Sequence, residues 1–158
     1  MEEISIYTDG SAKGNPGPGG YGAMLLSGIH RKQLSQGYRK TTNNRMELLA
    51  VIVALEKLKR KPSKAIVFSD SKYVVDAIEK DWLFNWEKKG FAKKKNVDLW
   101  KRFLKVYRQH QVRFEWVKGH DGNEFNEICD KLAVKAAESK DLLVDEGFEN
   151  KDAEGKLF

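Results

Sequence analysis

The hydrophobic rhythm of the chain changes at Asn44, and that change limits the fold more than any other feature. Before it, Ile4 to Asp9 alternate, Tyr21 to Ser27 form a short apolar run, and Arg31 to Arg39 mix polar with apolar residues. Three such segments joined by turn-forming residues read as an antiparallel meander. After it, Met46, Leu49, Ala50 and Val53 recur at helical spacing, with Leu48, Ile52 and Leu55 widening the apolar face. Pro62 stops that helix. Ala65 to Phe68 reads as a buried strand, Ser71 to Lys80 as a helix and Trp82 to Lys89 as a short second one. Asn96 to His110 is amphipathic, Val112 to Val117 is a fifth strand, and Glu124 to Ser139 is a last helix. Strands separated by helices imply parallel pairing through right-handed crossovers. The expected class is therefore α/β: a mixed five-stranded sheet, with an antiparallel hairpin edge and a parallel part, flanked by helices.

At 158 residues the chain suits one domain, large enough to bury roughly 70% of its unfolded surface. We expect that domain to span residues 1–140. Residues 141–158 hold six acids against two lysines, so they read as an acidic, partly disordered tail. A single cysteine, Cys129, makes no internal disulfide, and no signal segment is visible, so a cytoplasmic location is expected. The longest unbroken apolar run, Leu48 to Leu55, is too short for a bilayer. Nothing demands more than a monomer.

The net charge of +6 is unevenly placed. Nine lysines and arginines fall between Glu87 and Arg108, where only two acids oppose them, so this stretch carries +7 and the rest of the chain −1. Trp82, Trp86, Phe91 and Trp100 lie beside or among these cations. A cationic arm with interleaved aromatics suits nucleic acid more than a plain solvated helix face.

Near the front, Gly17-Pro-Gly-Gly-Tyr-Gly22 matches G-x-G-x-x-G in letters. That motif needs a helix after it, whose N-terminus meets a pyrophosphate. Here a strand-like run, Ala23-Met-Leu-Leu, follows. The glycines read instead as a wide turn between two strands, open enough for a bulky ligand to approach. Asp9 ends the first strand and Asp70 the fourth. In an open α/β sheet the ligand crevice lies beyond the carboxyl ends of the strands. If these two strands are neighbours they run about 4.8 Å apart, and their carboxylates repel unless a cation or proton sits between them. Glu47, in the first turn of the long helix, and Asp130, on the last helix, are further candidates. Each has a plainer reading. Asn44-Arg-Met-Glu47 resembles a capping box, Asp70 can cap the next helix, and Asp130 can face solvent.

Five blocks in order carry a resemblance: Tyr7-Thr-Asp9-Gly-Ser with Gly14-Asn-Pro-Gly-Pro-Gly-Gly-Tyr-Gly22, Thr41-Thr-Asn-Asn-Arg-Met-Glu47, Ser69-Asp70-Ser, Trp116-Val-Lys-Gly-His120 and Asn126-Glu-Ile-Cys-Asp130. Together they resemble ribonuclease H of type 1, in its bacterial branch, from about Ile4 to Ala137. The resemblance implies a hydrolase that cuts the RNA strand of RNA–DNA hybrids and leaves 5′-phosphate and 3′-hydroxyl ends. It implies that Asp9, Glu47, Asp70 and Asp130 hold two Mg²⁺ ions, with Mn²⁺ as an alternative, and that His120 is a mobile-loop histidine. It further implies that Asn15, Asn43 and Asn44 read the minor groove, where the 2′-OH marks RNA, with Ser71 beside them. Lys40, Thr42 and Asn96 match a pocket for a DNA-strand phosphate, and Trp82 and Trp86 match aromatics that pack on DNA sugars. Lys88, Lys89 and the Lys93–Lys95 run match the family's basic protrusion.

Some features depart from that pattern. Lys40 stands where relatives often carry Arg, which removes bidentate phosphate binding, and Glu87 opposes the arm at its start. Two other readings share parts of it. A different nuclease or transposase on the same sheet also places acids at the ends of strands one and four, though such relatives generally lack the Thr-Asn-Asn-Arg-Met-Glu block. A non-catalytic nucleic-acid binder would use the arm alone.

Overall fold

The computed structural model describes residues 2–119 and 122–150. Three long strands come first: β1 (Glu3–Ala12), β2 (Gly17–Ser27) and β3 (His30–Thr41). They are followed by α1 (Asn43–Glu56), β4 (Lys64–Ser69), α2 (Lys72–Glu79), α3 (Trp82–Lys88), α4 (Val97–Tyr107), β5 (Gln111–Trp116) and α5 (Glu124–Glu138). Two short elements end the described chain, β6 (Leu142–Leu143) and α6 (Glu146–Glu149).

The strands form one sheet in the order β5-β4-β1-β2-β3-β6. The meander is antiparallel, while β1–β4 and β4–β5 are parallel. The sheet therefore has six strands where five were expected. The added strand, β6, pairs in parallel with β3 by setting Leu142 beside Gly37, and the Gln36 amide donates to the Asp141 carbonyl. An acidic composition hid two adjacent leucines able to extend an edge. Residues 141–150 are thus packed on the body.

Side chains alternate across the sheet, which explains the glycine run. Tyr21, Ala23 and Leu25 point into the core under α1. Gly20 and Gly22 point the other way, toward α5. A Cβ on Gly20 would lie 2.7 Å from the Ala133 carbonyl oxygen, and one on Gly22 would run into the Cys129 carbonyl. So the glycines are not a turn, contrary to the sequence reading: they lie within β2, and the bulky neighbour that Gly20 and Gly22 admit is a helix. The turn itself is Lys13 to Pro16, closed by the Lys13 N–H to the Pro18 carbonyl at 2.8 Å.

Helix α1 is buried nearly all round, through Met46, Leu48 to Ile52, Ala54 and Leu55, because the sheet covers one side and α4 another. Its cap is Thr42, whose hydroxyl accepts from the Arg45 N–H; no Asn44–Glu47 capping box forms, and Glu47 is left for other work. Likewise Ser71, not Asp70, caps α2, accepting from the Val74 N–H. Beneath α4 a ring stack runs Trp86–Trp100–Phe103–Phe114, with centroids about 6 Å apart.

Candidate active site

In β1 and β4, Tyr7 stands beside Phe68 in parallel register. Two residues on from each, Asp9 and Asp70 reach the same level at the carboxyl end of the sheet. Glu47 joins them from α1 because Gly10 has no side chain. A Cβ there would fall inside the Met46–Glu47 backbone, so only glycine lets the first turn of α1 lie this close to β1. Carboxylate oxygens of Asp9, Glu47 and Asp70 lie within 4.8 Å of one another. Asp130 approaches from α5 across a small cleft whose walls are Thr8, Asp9, Asp70, Asn126, Glu127 and Asp130. The structure therefore gathers all four sequence-derived carboxylates around one crevice.

The electrostatics follow from burial and crowding. Burial, then the nearby Asp70 and Asp130 charges, push the Asp9 carboxyl up to about 7. Burial with the Asp9 and Asp70 charges raises Glu47 well above the ordinary range. Among the described residues Glu47 Oε2 is buried with no hydrogen-bond partner. A buried oxygen without a donor, inside a cluster of like charges, is what a hard divalent cation satisfies. The donor set fits such an ion.

Around this crevice the recognition candidates are tied together by hydrogen bonds. The Asn43 side-chain oxygen accepts from the Ala12 N–H at 2.6 Å, and that of Asn15 accepts from the Asn43 N–H at 2.9 Å. The β1–β2 turn is thereby fixed to the start of α1. A cleft of about 780 Å³ opens beside them, with Asn15, Thr42, Asn44, Lys95, Asn96 and Gly147 among its walls. Lys40 is exposed and is not one of its walls. Ser71 is buried as a helix cap, which leaves its hydroxyl engaged. Trp82 is 43% exposed, with the Lys80 ammonium 5.2 Å from its ring. Trp86 packs edge-on against Trp100 and carries the Lys94 ammonium 4.9 Å from its ring centroid. Lys88 ends α3, Lys89 follows it, and no ion pair among the described residues engages either one or Lys93 to Lys95. Glu87 is neutralised by Arg108. His120 lies outside the described residues.

Two residues near the site, Glu127 and Arg45, are not among those the sequence reading singled out. Glu127 shares the cleft wall with Asp130, one helical turn away on α5. Arg45 is 3% exposed and binds Asp98 and Asp145 together. The spacing of Glu127 from Asp130 was readable as a shared helix face; the Arg45 partners are too far away in the chain to be read at all.

A model of the RNase H family matches residues 1–138. The chain belongs to the RNase H family. The ribonuclease H of Desulforamulus reducens is 53% identical over 150 residues, covering 92% of this chain and 94% of that one. The ribonuclease H of Pseudoalteromonas translucida is 55% identical over 151 residues, covering 92% and 97%. Among solved structures, LC9-RNase H1, a type 1 RNase H with a type 2 active-site motif, superposes with a TM-score of 0.77 at 30% identity, covering 95% of this chain and 80% of that one. LC11-RNase H1, crystallised with an RNA/DNA hybrid, gives 0.60 at 28% identity, covering 85% and 96%. The five-block resemblance read from the sequence and the RNase H fold are thus both matched.

Proposed function

We propose that this RNase H hydrolyses the RNA strand of RNA–DNA hybrids at the carboxylate crevice, producing 5′-phosphate and 3′-hydroxyl ends. One observation carries the reading: three acids from two parallel strands and a helix converge within 4.8 Å. Asp9, Glu47, Asp70 and Asp130 would hold two divalent ions, Mg²⁺ or in its place Mn²⁺, whose hard character suits oxygen ligands. Bound there, such ions activate the attacking water and stabilise the leaving 3′ oxygen.

The remaining work falls to the chain's own groups. Asn15, Asn43 and Asn44 present amides that donate and accept toward the 2′-hydroxyls of a minor groove. Thr42 and Asn96, with Lys94 and Lys95, offer donors and charge for a DNA-strand phosphate. Trp82 presents an open ring to a sugar, while Trp86, edge-on against Trp100, anchors the start of the basic arm through Lys94. Lys88, Lys89 and Lys93 to Lys95 grip the hybrid backbone, and His120 assists proton transfer or product departure. No helix among the described residues is long and apolar enough to cross a membrane; we place the protein in the cytoplasm as a monomer.

Incubation with labelled hybrid, duplex RNA and duplex DNA, with and without chelator, tests this. Cutting of the RNA strand of the hybrid alone, lost with chelator and lost in Asp9→Asn while hybrid binding persists, is the expected result. Unchanged cutting with chelator, or full activity of Asp9→Asn, overturns it.

A further inference from the structure

Trp116 and Lys72 have no part in the machinery described so far, yet both stand at the rim of the carboxylate crevice. Trp116 is the last residue of β5, so it sits at the same end of the sheet as Asp9 and Asp70. Phe114, two residues earlier on the same face, is buried against Phe103, whereas Trp116 is 44% exposed. The ring is nevertheless fixed. Its indole N–H donates to the Asp70 carbonyl at 3.1 Å. The Val117 N–H continues the ladder to the Ser69 carbonyl, and Gly119 packs so closely on Asp70 that a Cβ would lie 2.6 Å from Oδ2. One edge of the indole is thereby anchored to the backbone of a cluster residue.

Lys72 lies over the exposed ring, its ammonium 4.9 Å from the centroid. It is the first residue of α2, and no acid occupies that helix's first turn. A cation at a helix N-terminus opposes the macrodipole, so this position is unfavourable to the local fold. Two residues from Asp70, a flexible ammonium would also be drawn onto the cluster oxygens. The aromatic face offers the charge another seat. From that seat it is exposed, and an ammonium is a compact point charge suited to a phosphate.

We propose that Lys72, held by Trp116, contacts an RNA phosphate beside the scissile bond and so positions that strand over the crevice. The proposal rests on the hybrid-cutting reading above. It gives Trp116 a positioning role, acting through Lys72 and through the Asp70 backbone.

The test measures binding in chelator, so that chemistry does not intervene. The probes are RNA–DNA hybrids whose RNA strand carries one uncharged methylphosphonate linkage, moved one position at a time. The native protein is expected to lose several-fold affinity at a linkage next to the cutting site. Lys72→Gln should bind the unmodified hybrid about fivefold more weakly, lower the log–log salt slope by about 1 and lose its sensitivity at that linkage alone. Trp116→Ala should reproduce the same loss of sensitivity, and Trp116→Phe should restore part of it. Lys64→Gln, at the far end of β4, should behave as native. A Lys72→Gln protein that keeps the native salt slope and linkage profile overturns the proposal. The parent reading fails separately, if the native protein leaves the hybrid uncut when divalent ions are supplied.

Discussion

Arg45, in the first turn of the helix that carries Glu47, holds Asp145 through two hydrogen bonds of 2.8 Å although the residues are 100 positions apart. Asp145 also accepts from the Thr41 hydroxyl at 2.7 Å. The guanidinium reaches Asp98 with its remaining edge, at 2.9 and 2.8 Å. Both Arg45 and Asp145 are buried, so removing one partner strands a desolvated charge, an effect of about 3 kcal/mol or more. Asp145→Ala should therefore lower unfolding free energy by roughly 3 kcal/mol in a denaturant titration, with Asp145→Asn losing less. An effect within the scatter of surface substitutions would mean that residues 141–150 add nothing to the body.

Gly10 makes a sharper claim about the crevice. Any Cβ there collides with the Met46–Glu47 backbone, which no rotamer change relieves. Gly10→Ala must push α1 away from β1, and Glu47 with it. Displacing a reacting group by about 1 Å costs on the order of 100-fold in rate. We expect kcat to fall by about that factor, with stability reduced by about 1–3 kcal/mol from overpacking. A variant with native kcat would mean that the position of Glu47 is not critical.

How much of this was legible in the sequence depends on how far each cause lies along the chain. Asp70 does follow the last residue of β4, but Asp9 does not end β1, which runs on to Ala12; the two acids come level because the β1–β4 pairing stops at Tyr7 and Phe68, two residues before each. Glu47 and Asp130 lie on helices, where pattern alone, taken residue by residue, favours a capping box and a solvent-facing acid. The resemblance singled them out, and the close approach permitted by Gly10 and Gly22 accounts for their positions in the structure. The glycine run reads as a turn because glycine signals local freedom, whereas Gly20 and Gly22 answer to α5, more than a hundred residues downstream. Residues 141–150 read as loose for the same reason: Asp145 is one more acid until Arg45 is seen opposite it. Trp82 and Trp86 were rightly placed on one short helix, but nothing local said that Trp100 would take up the second ring.

The raised carboxyl of Asp9 gives a stability prediction for the metal-free protein. Its pKa in the fold is about 7, against an ordinary value of 3.8, chiefly through burial. The folded state then binds more protons than the unfolded state between those values, so stability falls as pH rises through that window. Asp9→Asn removes the effect. In chelator, the variant should match the native protein near pH 4 and exceed it progressively up to about pH 7, by about 2 kcal/mol or more. Added divalent cation should narrow the gap by stabilising only the native protein. A constant gap across that range would contradict the crowding of charges described for the crevice.

The cationic arm should govern affinity and leave chemistry alone. Lys88, Lys89 and Lys93 to Lys95 are exposed, while Arg108 is taken up by Glu87, so the lysines carry the free charge. The loop that bears them is held in shape by left-handed backbone at Phe91, Lys93 and Asn96, which projects cations outward at a cost in local strain. If about five phosphates are neutralised, the log–log salt slope for hybrid binding should be roughly −4 to −5. Replacing Lys93, Lys94 and Lys95 by glutamine should bring it to about −2 and raise KM, with kcat at saturating hybrid unchanged because none of the three approaches the carboxylates. A slope insensitive to the triple replacement would remove the arm from the binding surface.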